Sequence, residues 1–254
     1  MRIATWNINS ARNREQRVRD FLERSDVDVL SLQETKCTDD QFPDFSDTGY
    51  AQAHHGANAW NGVAILSRVG IDSVRTSFGQ PAFDKDPEAE PTVEPRAVGA
   101  VCDGVEVWSL YVPNGREISD RHFTYKLDFL DALASYAKEA RDKTVVVGDF
   151  NIAPTDEDVW DRSFFDGKTH VTPRERAALT TIVETGGLQE ATESLKGTYS
   201  YWDYQAMRFQ RNQGVRIDLQ FSRGLQVSDA WVDADERKGK GASDHAPVIV
   251  DYAA

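Results

Sequence analysis

Thiol chemistry is nearly missing from this chain, whose 254 residues include only two cysteines, Cys37 and Cys102. Two are too few for a disulfide framework, and neither has the neighbouring Cys or His of a zinc site. Long apolar runs are absent as well: nothing approaches the roughly 18 consecutive apolar residues of a membrane helix, and the opening "MRIATWNINS" has no apolar core of a signal peptide. These absences give the expectation of a soluble, cytoplasmic protein with no membrane contact. No Ser/Gly/Pro-rich linker, low-complexity tract or abrupt composition change interrupts the chain, so residues 1–254 read as one domain, expected to be a monomer. A G-x-S-x-G elbow is lacking, which argues against Ser-His-Asp acyl transfer. Positive charge is scarce, 29 basic against 42 acidic residues for a net −13. That balance disfavours a protein that coats nucleic acid nonspecifically, but it permits an enzyme with a local basic face.

What is present is a series of strand-like runs with helical patterns between them. "RIATWNI", "VDVLSLQET", "GVAILSR", "RAVGAVC", "EVWSLYV", "TVVVGDF", "RIDLQFS" and "PVIVDY" are rich in β-branched and aromatic residues, and "CDGV" carries an Asp-Gly hairpin signal. Helices are predicted over residues 14–24, with Val18, Phe21 and Leu22 on one face; over 120–141, with Phe123, Leu127, Leu130 and Leu133; and over 173–186. The expected fold is α/β: two mostly antiparallel sheets with helices outside. Basic residues cluster unevenly. Arg17 and Arg19 read as solvated helix surface, whereas the loop arginines Arg208, Arg211 and Arg216 are expected to meet phosphate.

Polar residues end or interrupt nearly every strand. Asn7 ends the first and Glu34 the second, Tyr111 and Asn114 follow the hairpin, and Asp149 and Asn151 follow "VVVG". Asp218 lies in "RIDLQF", and Asp244 and His245 precede the last strand. One such residue is an ordinary turn former; six sites restricted to Asn, Asp, Glu, His and Tyr suggest shared chemistry. Carboxylates and amides without thiolates suit a hard cation such as Mg²⁺, which takes one or two carboxylates plus water and phosphate. An Asp-His pair can hold an imidazole protonated beside a phosphoryl oxygen. Together these describe a site for phosphodiester cleavage.

The motifs "WNINSAR", "LSLQETK", "NGVAILSR", "YVPNG", "GDFNIAPTDEDVW", "RIDLQFS" and "SDHAPV" occur in this order across nearly the whole chain. In them the sequence resembles the exonuclease III group of the endonuclease/exonuclease/phosphatase superfamily. The resemblance implies a four-layer, DNase I-like sandwich and Mg²⁺- or Mn²⁺-dependent hydrolysis of DNA phosphodiesters. It also implies 3′-to-5′ exonuclease action on duplex DNA, cleaning of 3′-blocked ends and incision at abasic sites. By motif, Glu34 would bind the metal with Asn7 and Asp244 beside it. Asp149 would activate water, Asn151 would orient it or the phosphate, Tyr111 would sit on the leaving-group side and Asn114 would contact phosphate. Asp218 would pair with His245. Tyr201, Val215 and Ile217 match the apolar pocket for an extrahelical sugar, and Met207, Arg208 and Arg211 fall on a loop facing the duplex. Lys126 would reach a phosphate from its helix or remain solvated. His170 departs from the small residue often found there in abasic-site enzymes. It reads either as a solvated loop residue or as an imidazole that obstructs the sugar or, protonated, binds a terminal phosphate. Three alternatives stay open at this level: a lipid phosphodiesterase of the same superfamily, an RNA-directed nuclease, and a noncatalytic nucleic-acid binder of the same fold.

Overall fold

The computed structural model describes residues 1–253, and in it each strand that the apolar runs mark becomes part of one of two six-stranded sheets. The first sheet contains β1 (Arg2–Asn7), β2 (Val29–Gln33), β3 (Ala51–His55), β4 (Val63–Ser67), β11 (Gln226–Val232) and β12 (Val248–Ala253), in the order β11-β12-β1-β2-β4-β3. The second contains β5 (Asp72–Arg75), β6 (Ala97–Cys102), β7 (Val105–Tyr111), β8 (Thr144–Asp149), β9 (Gln189–Glu190) and β10 (Asp218–Arg223), in the order β5-β6-β7-β8-β10-β9. Pairing is antiparallel except at β1/β2 and β7/β8. Those parallel pairs need crossovers, which α1 (Glu15–Ser25) and α2 (Arg121–Glu139) supply. With α3 (Pro173–Gly186) beside α2, the helices lie on the outer faces and make four layers.

Strand alternation builds these layers. In β1 and β2, Ile3 and Val29 pack into the inter-sheet core with Val107, Val145, Val147 and Val250. Their neighbours Ala4, Trp6, Leu30 and Leu32 turn outward onto Val18, Phe21 and Leu22 of α1. On the second sheet Trp108, Leu110, Val146 and Leu219 face outward onto Phe129, Leu130 and Leu133 of α2 and Ile182 of α3. Each large apolar side chain so buried stabilises the fold by roughly 1.5–3 kcal/mol.

The α3 start carries its own signal: Pro173 at the first turn and a capping box in which Thr172 and Glu175 satisfy each other's backbone donors. Strands β3, β5, β9 and β11 are not foreseen from the sequence. All four are sheet edges, and β5 is exposed at every position, so no apolar alternation marks them. Among the described residues no helix is long and apolar enough to cross a membrane.

Candidate active site

Between the sheets the inward-facing residues change character along each strand. From Ile3 the inner face of β1 runs to Thr5 and then Asn7; from Val107 the inner face of β7 runs to Ser109 and Tyr111; from Val147 that of β8 runs to Asp149. The middle tier is already polar but internally satisfied. Thr5 Oγ1 donates to Gln33 Oε1 at 3.1 Å, and Gln33 Nε2 donates to Ser109 Oγ at 3.0 Å. Period-2 alternation therefore delivers Asn7, Tyr111 and Asp149 to one end of the sandwich, and the antiparallel register Asp218↔Asp149 adds the first residue of β10. Gly148 makes the last step possible, since a Cβ there would lie 1.9 Å from the Leu110 carbonyl oxygen.

Asn7 bridges the sheets. Its Nδ2 donates to Glu34 Oε1 at 3.1 Å and to Asp149 Oδ2 at 3.0 Å, while its Oδ1 accepts from the Asn9 amide at 3.1 Å. Its donor faces both carboxylates, so Asn7 spaces and orients them. Glu34 Oε1 also accepts from the Tyr111 hydroxyl at 2.6 Å, and Glu34 Oε2 meets Lys36 Nζ at 2.7 Å. Burial opposes charge on Glu34, but Lys36 and the Tyr111 and Asn7 donors hold its carboxyl below the usual range. Tyr111 is pushed well above the ordinary phenol by burial and then by Glu34, and is therefore neutral.

Asp218 and His245 meet from neighbouring segments, with Nδ1 and Oδ2 2.8 Å apart. Ser200 Oγ donates to the same Asp218 oxygen at 2.6 Å, a contact no motif had indicated. Burial alone would push the His245 imidazole down, yet Asp218 and Asp149 hold it up at about 10. It therefore carries both protons: Nδ1–H donates to Asp218, and Nε2 faces Asp149 Oδ2 across 3.8 Å. That separation is too long for a hydrogen bond, so the Nε2 proton is left free to donate to an oxygen of a ligand lying beside the pair. Asp149 accepts from the Asn151 amide at 2.9 Å, and burial pushes its carboxyl up to about 7.

The donor set fits a hard divalent cation. It is all oxygen, Asp218 Oδ1 is buried without a hydrogen-bond partner, and Asp149 resists ionisation in this company. One atom each of Asp149, Asp218 and His245 lies within 4.8 Å of the others. A protonated imidazole cannot be a ligand, however, so the carboxylates of Glu34 and Asp149 suit the ion better than that trio. Asp244 is half-buried and accepts from Asn9 Nδ2 at 3.0 Å; Asn9 Oδ1 accepts from Lys36 Nζ at 2.7 Å. Asn9 and Lys36 thus link Asp244 to Glu34, and sequence reasoning had missed both. Behind Glu34, Thr35 Oγ1 lies 2.8 Å from His54 Nε2, and His54 Nδ1 lies 2.8 Å from Asp39 Oδ1. Burial lowers His54 to about 4, so the neutral ring accepts from Thr35 and donates to Asp39, pinning the loop that carries Glu34.

The phosphate side is built on buried struts. Asn114 Nδ2 donates to Asn151 Oδ1 at 3.1 Å, and Asn151 Nδ2 donates to the Val112 carbonyl at 3.0 Å. Lys126 departs from both readings given to it, reaching no surface at all. It is fully buried, paired with Glu175 at 2.5 Å and donating to the carbonyls of Asn151 at 2.7 Å and Asn114 at 3.3 Å. A buried lysine needs a carboxylate partner, and the helix-capping Glu175 is that partner. Arg216 is likewise no phosphate contact. It is 1% exposed and clamps Asp158 through Nε at 2.7 Å and Nη2 at 3.0 Å, bracing the strand that leads to Asp218.

Tyr201, Val215 and Ile217 line one cavity of about 280 Å³ together with Asn114, His170 and Arg208. Arg211 and Met207 are exposed on the adjoining loop. His170 is half-buried at the cavity: its backbone amide donates to Glu175 Oε1 at 2.9 Å and its Nδ1 to the Asn151 carbonyl. Burial and the nearby Lys126 push its imidazole down to about 4. A neutral ring speaks for the steric reading of His170 over the protonated, phosphate-binding one. Its φ of 78° is a left-handed conformation that favours glycine.

Comparison with known proteins agrees with this geometry. A family model described as "Endonuclease/Exonuclease/phosphatase family" matches residues 4–245. The chain is 29% identical to the exodeoxyribonuclease III of Haemophilus influenzae over 99% of its own length and 100% of that protein. Among solved structures it is similar to a 3′-5′ exonuclease from Neisseria meningitidis, with 32% identity and a TM-score of 0.89, and to an AP endonuclease from Archaeoglobus fulgidus, with 30% identity and a TM-score of 0.90; each match covers 100% of both chains. The chain belongs to the endonuclease/exonuclease/phosphatase family.

Proposed function

We propose that this protein is a divalent-cation-dependent DNA repair nuclease that removes nucleotides and blocking groups from 3′ ends of duplex DNA. The observation that carries the reading is the convergence of Asp149 and a doubly protonated His245 on one 3.8 Å gap, with Asp218 behind the imidazole. A phosphoryl oxygen beside the pair accepts a hydrogen bond from Nε2, while Asp149 takes the proton of the attacking water. The water oxygen forms its bond to phosphorus as the bond to the 3′ oxygen of the preceding nucleotide breaks. A carboxylate acceptor and an imidazolium donor held by Asp218 are the pair such a step needs. Tyr111, a neutral phenol held against Glu34, is placed to supply a proton to the leaving oxygen. Asn114 and Asn151 orient the phosphate, with Lys126 positioning both loops from below.

The fit of the carboxylates supports Mg²⁺ or Mn²⁺ held by Glu34 and Asp149, with Asp244 close by. When bound, the cation offsets negative charge on the phosphate and the leaving oxygen. Nothing in the set is lost, which sets the protein apart from a noncatalytic relative. Arg208 and Arg211, on the loop that faces the cavity, favour a nucleic acid over a lipid diester.

The neutral bulk of His170 at the entrance to α3 tilts the enzyme toward 3′-end work and away from abasic incision. The test is a panel of a duplex with a recessed 3′ end, an abasic duplex, a single-stranded RNA and a lipid phosphodiester, each with and without Mg²⁺. Turnover of the recessed end in Mg²⁺ supports the reading; turnover confined to RNA or lipid overturns it.

A further inference from the structure

The cavity that contains Tyr201, Val215 and Ile217 continues past them. From Asn114 and His170, beside the catalytic centre, it runs outward to a wall made by Trp160, Phe164 and Arg208. Its volume, about 280 Å³, exceeds what a base-free sugar asks for: a cavity of about 150 Å³ already accepts a benzene ring. The outer wall is aromatic and cationic. The Trp160 and Phe164 rings lie 5.2 Å apart at 43°, and the Arg208 guanidinium sits over both, 4.7 Å and 4.5 Å from their centres. Arg208 is fixed by Gln213 Oε1 at 3.2 Å, and Phe164 remains 38% exposed, a large apolar side chain left open to water. The Tyr201 ring that lines the cavity is 4.8 Å from the His245 imidazole, so the cavity adjoins the catalytic centre.

We propose that Trp160, Phe164 and Arg208 form a nucleobase subsite, which receives the base of the 3′-terminal nucleotide while its 5′-phosphodiester lies against Asp149 and His245. The inference rests on the nuclease reading and deepens it. Flat aromatic and guanidinium surfaces stack on any base, because every base has a π-face. A surface of that kind suits an exonuclease, which must accept all four bases in turn. A pocket reserved for an abasic sugar would need neither the extra volume nor the stacking wall. The cationic wall is likewise a poor lining for an acyl chain, since it would bury charge against hydrocarbon.

The test uses two duplexes that differ only in the last 3′ residue, an ordinary nucleotide in one and its tetrahydrofuran analogue, which lacks the base, in the other. The readout is the ratio of kcat/KM for release of the two terminal residues. Stacking worth 1–3 kcal/mol per base corresponds to about 5- to 150-fold, so Trp160→Ala combined with Phe164→Ala should lower the ratio by at least about fivefold. Trp160→Phe combined with Phe164→Tyr should restore it. Phe164→Ala alone, at an exposed position, keeps the test valid if the double variant folds poorly, and should lower the ratio in the same direction. A ratio unchanged by the alanine variants, or both substrates lost in equal proportion, overturns the subsite while leaving the nuclease assignment standing. No release of either residue by the wild-type enzyme in Mg²⁺ overturns the nuclease reading, and the subsite with it.

Discussion

Replacing Asp149 by asparagine should make the cation-free protein more stable at alkaline pH while abolishing turnover. Burial raises the Asp149 carboxyl from 3.8 to about 7. A raised folded-state pKa means the native state binds a proton more tightly than the unfolded chain does. The stabilisation is complete below pH 4 and is lost as pH rises through about 7. At about 1.4 kcal/mol per unit, ionising Asp149 in the folded protein costs on the order of 4 kcal/mol. Asparagine removes that cost but gives some back. Its amide meets Asn7 Nδ2 donor against donor, about 1 kcal/mol, and His245 loses one of the two carboxylates that hold it charged, about another 1 kcal/mol. The net gain above pH 8 is about 2 kcal/mol, or about 4–8 °C in Tm for a chain of this size. Thermal melts of wild type and Asp149→Asn in EDTA, at pH 4 and pH 8.5, would measure it. A difference that is the same at both values, or a variant less stable at pH 8.5, would refute the account of Asp149.

Three further outcomes follow from the geometry. Asp218→Ala and His245→Ala should each lower kcat by on the order of 10²-fold or more, and the double variant should lose no more than the worse single one, because the pair acts as one unit; a multiplicative loss in steady-state assays would count against the pairing. His170→Gly should raise abasic incision relative to 3′-end removal, and should also raise Tm, because glycine adopts the φ of 78° without strain; a ratio left where it was would show that the ring does not set it. Lys126→Met should act on stability rather than on DNA affinity: it strands Glu175 in the interior at a cost of about 3–5 kcal/mol, visible in denaturant melts, and a stable variant with weakened DNA binding would restore the phosphate contact that the burial rules out.

The sequence carries the site better than the sheet edges. Asn7, Tyr111 and Asp149 end strongly apolar alternating runs, so the pattern that forms the core also marks where it turns polar. Asp218 and His245 are found by motif, but their contact depends on two segments of the first and second sheets meeting, which no local pattern encodes. Lys126 and Arg216 misled for a common reason: a basic side chain in a helix or loop reads as reaching outward to phosphate or solvent, and only the fold shows Glu175 and Asp158 waiting inside for it. Asn9 and Lys36 escaped notice because they sit one or two residues from stronger signals and act through side-chain bonds across the site. The strands β3, β5, β9 and β11 were invisible because an exposed edge needs no apolar face.

The central claim is that this centre hydrolyses DNA phosphodiesters with Asp149 as base and a divalent cation bound. It is tested most directly by following mononucleotide release from a recessed 3′ end for wild type and Asp149→Asn, in Mg²⁺ and in excess EDTA, with DNA binding measured on the same samples. The account predicts release only by the wild type and only with Mg²⁺, with the variant still binding duplex; full release in EDTA, or by Asp149→Asn in Mg²⁺, would contradict it.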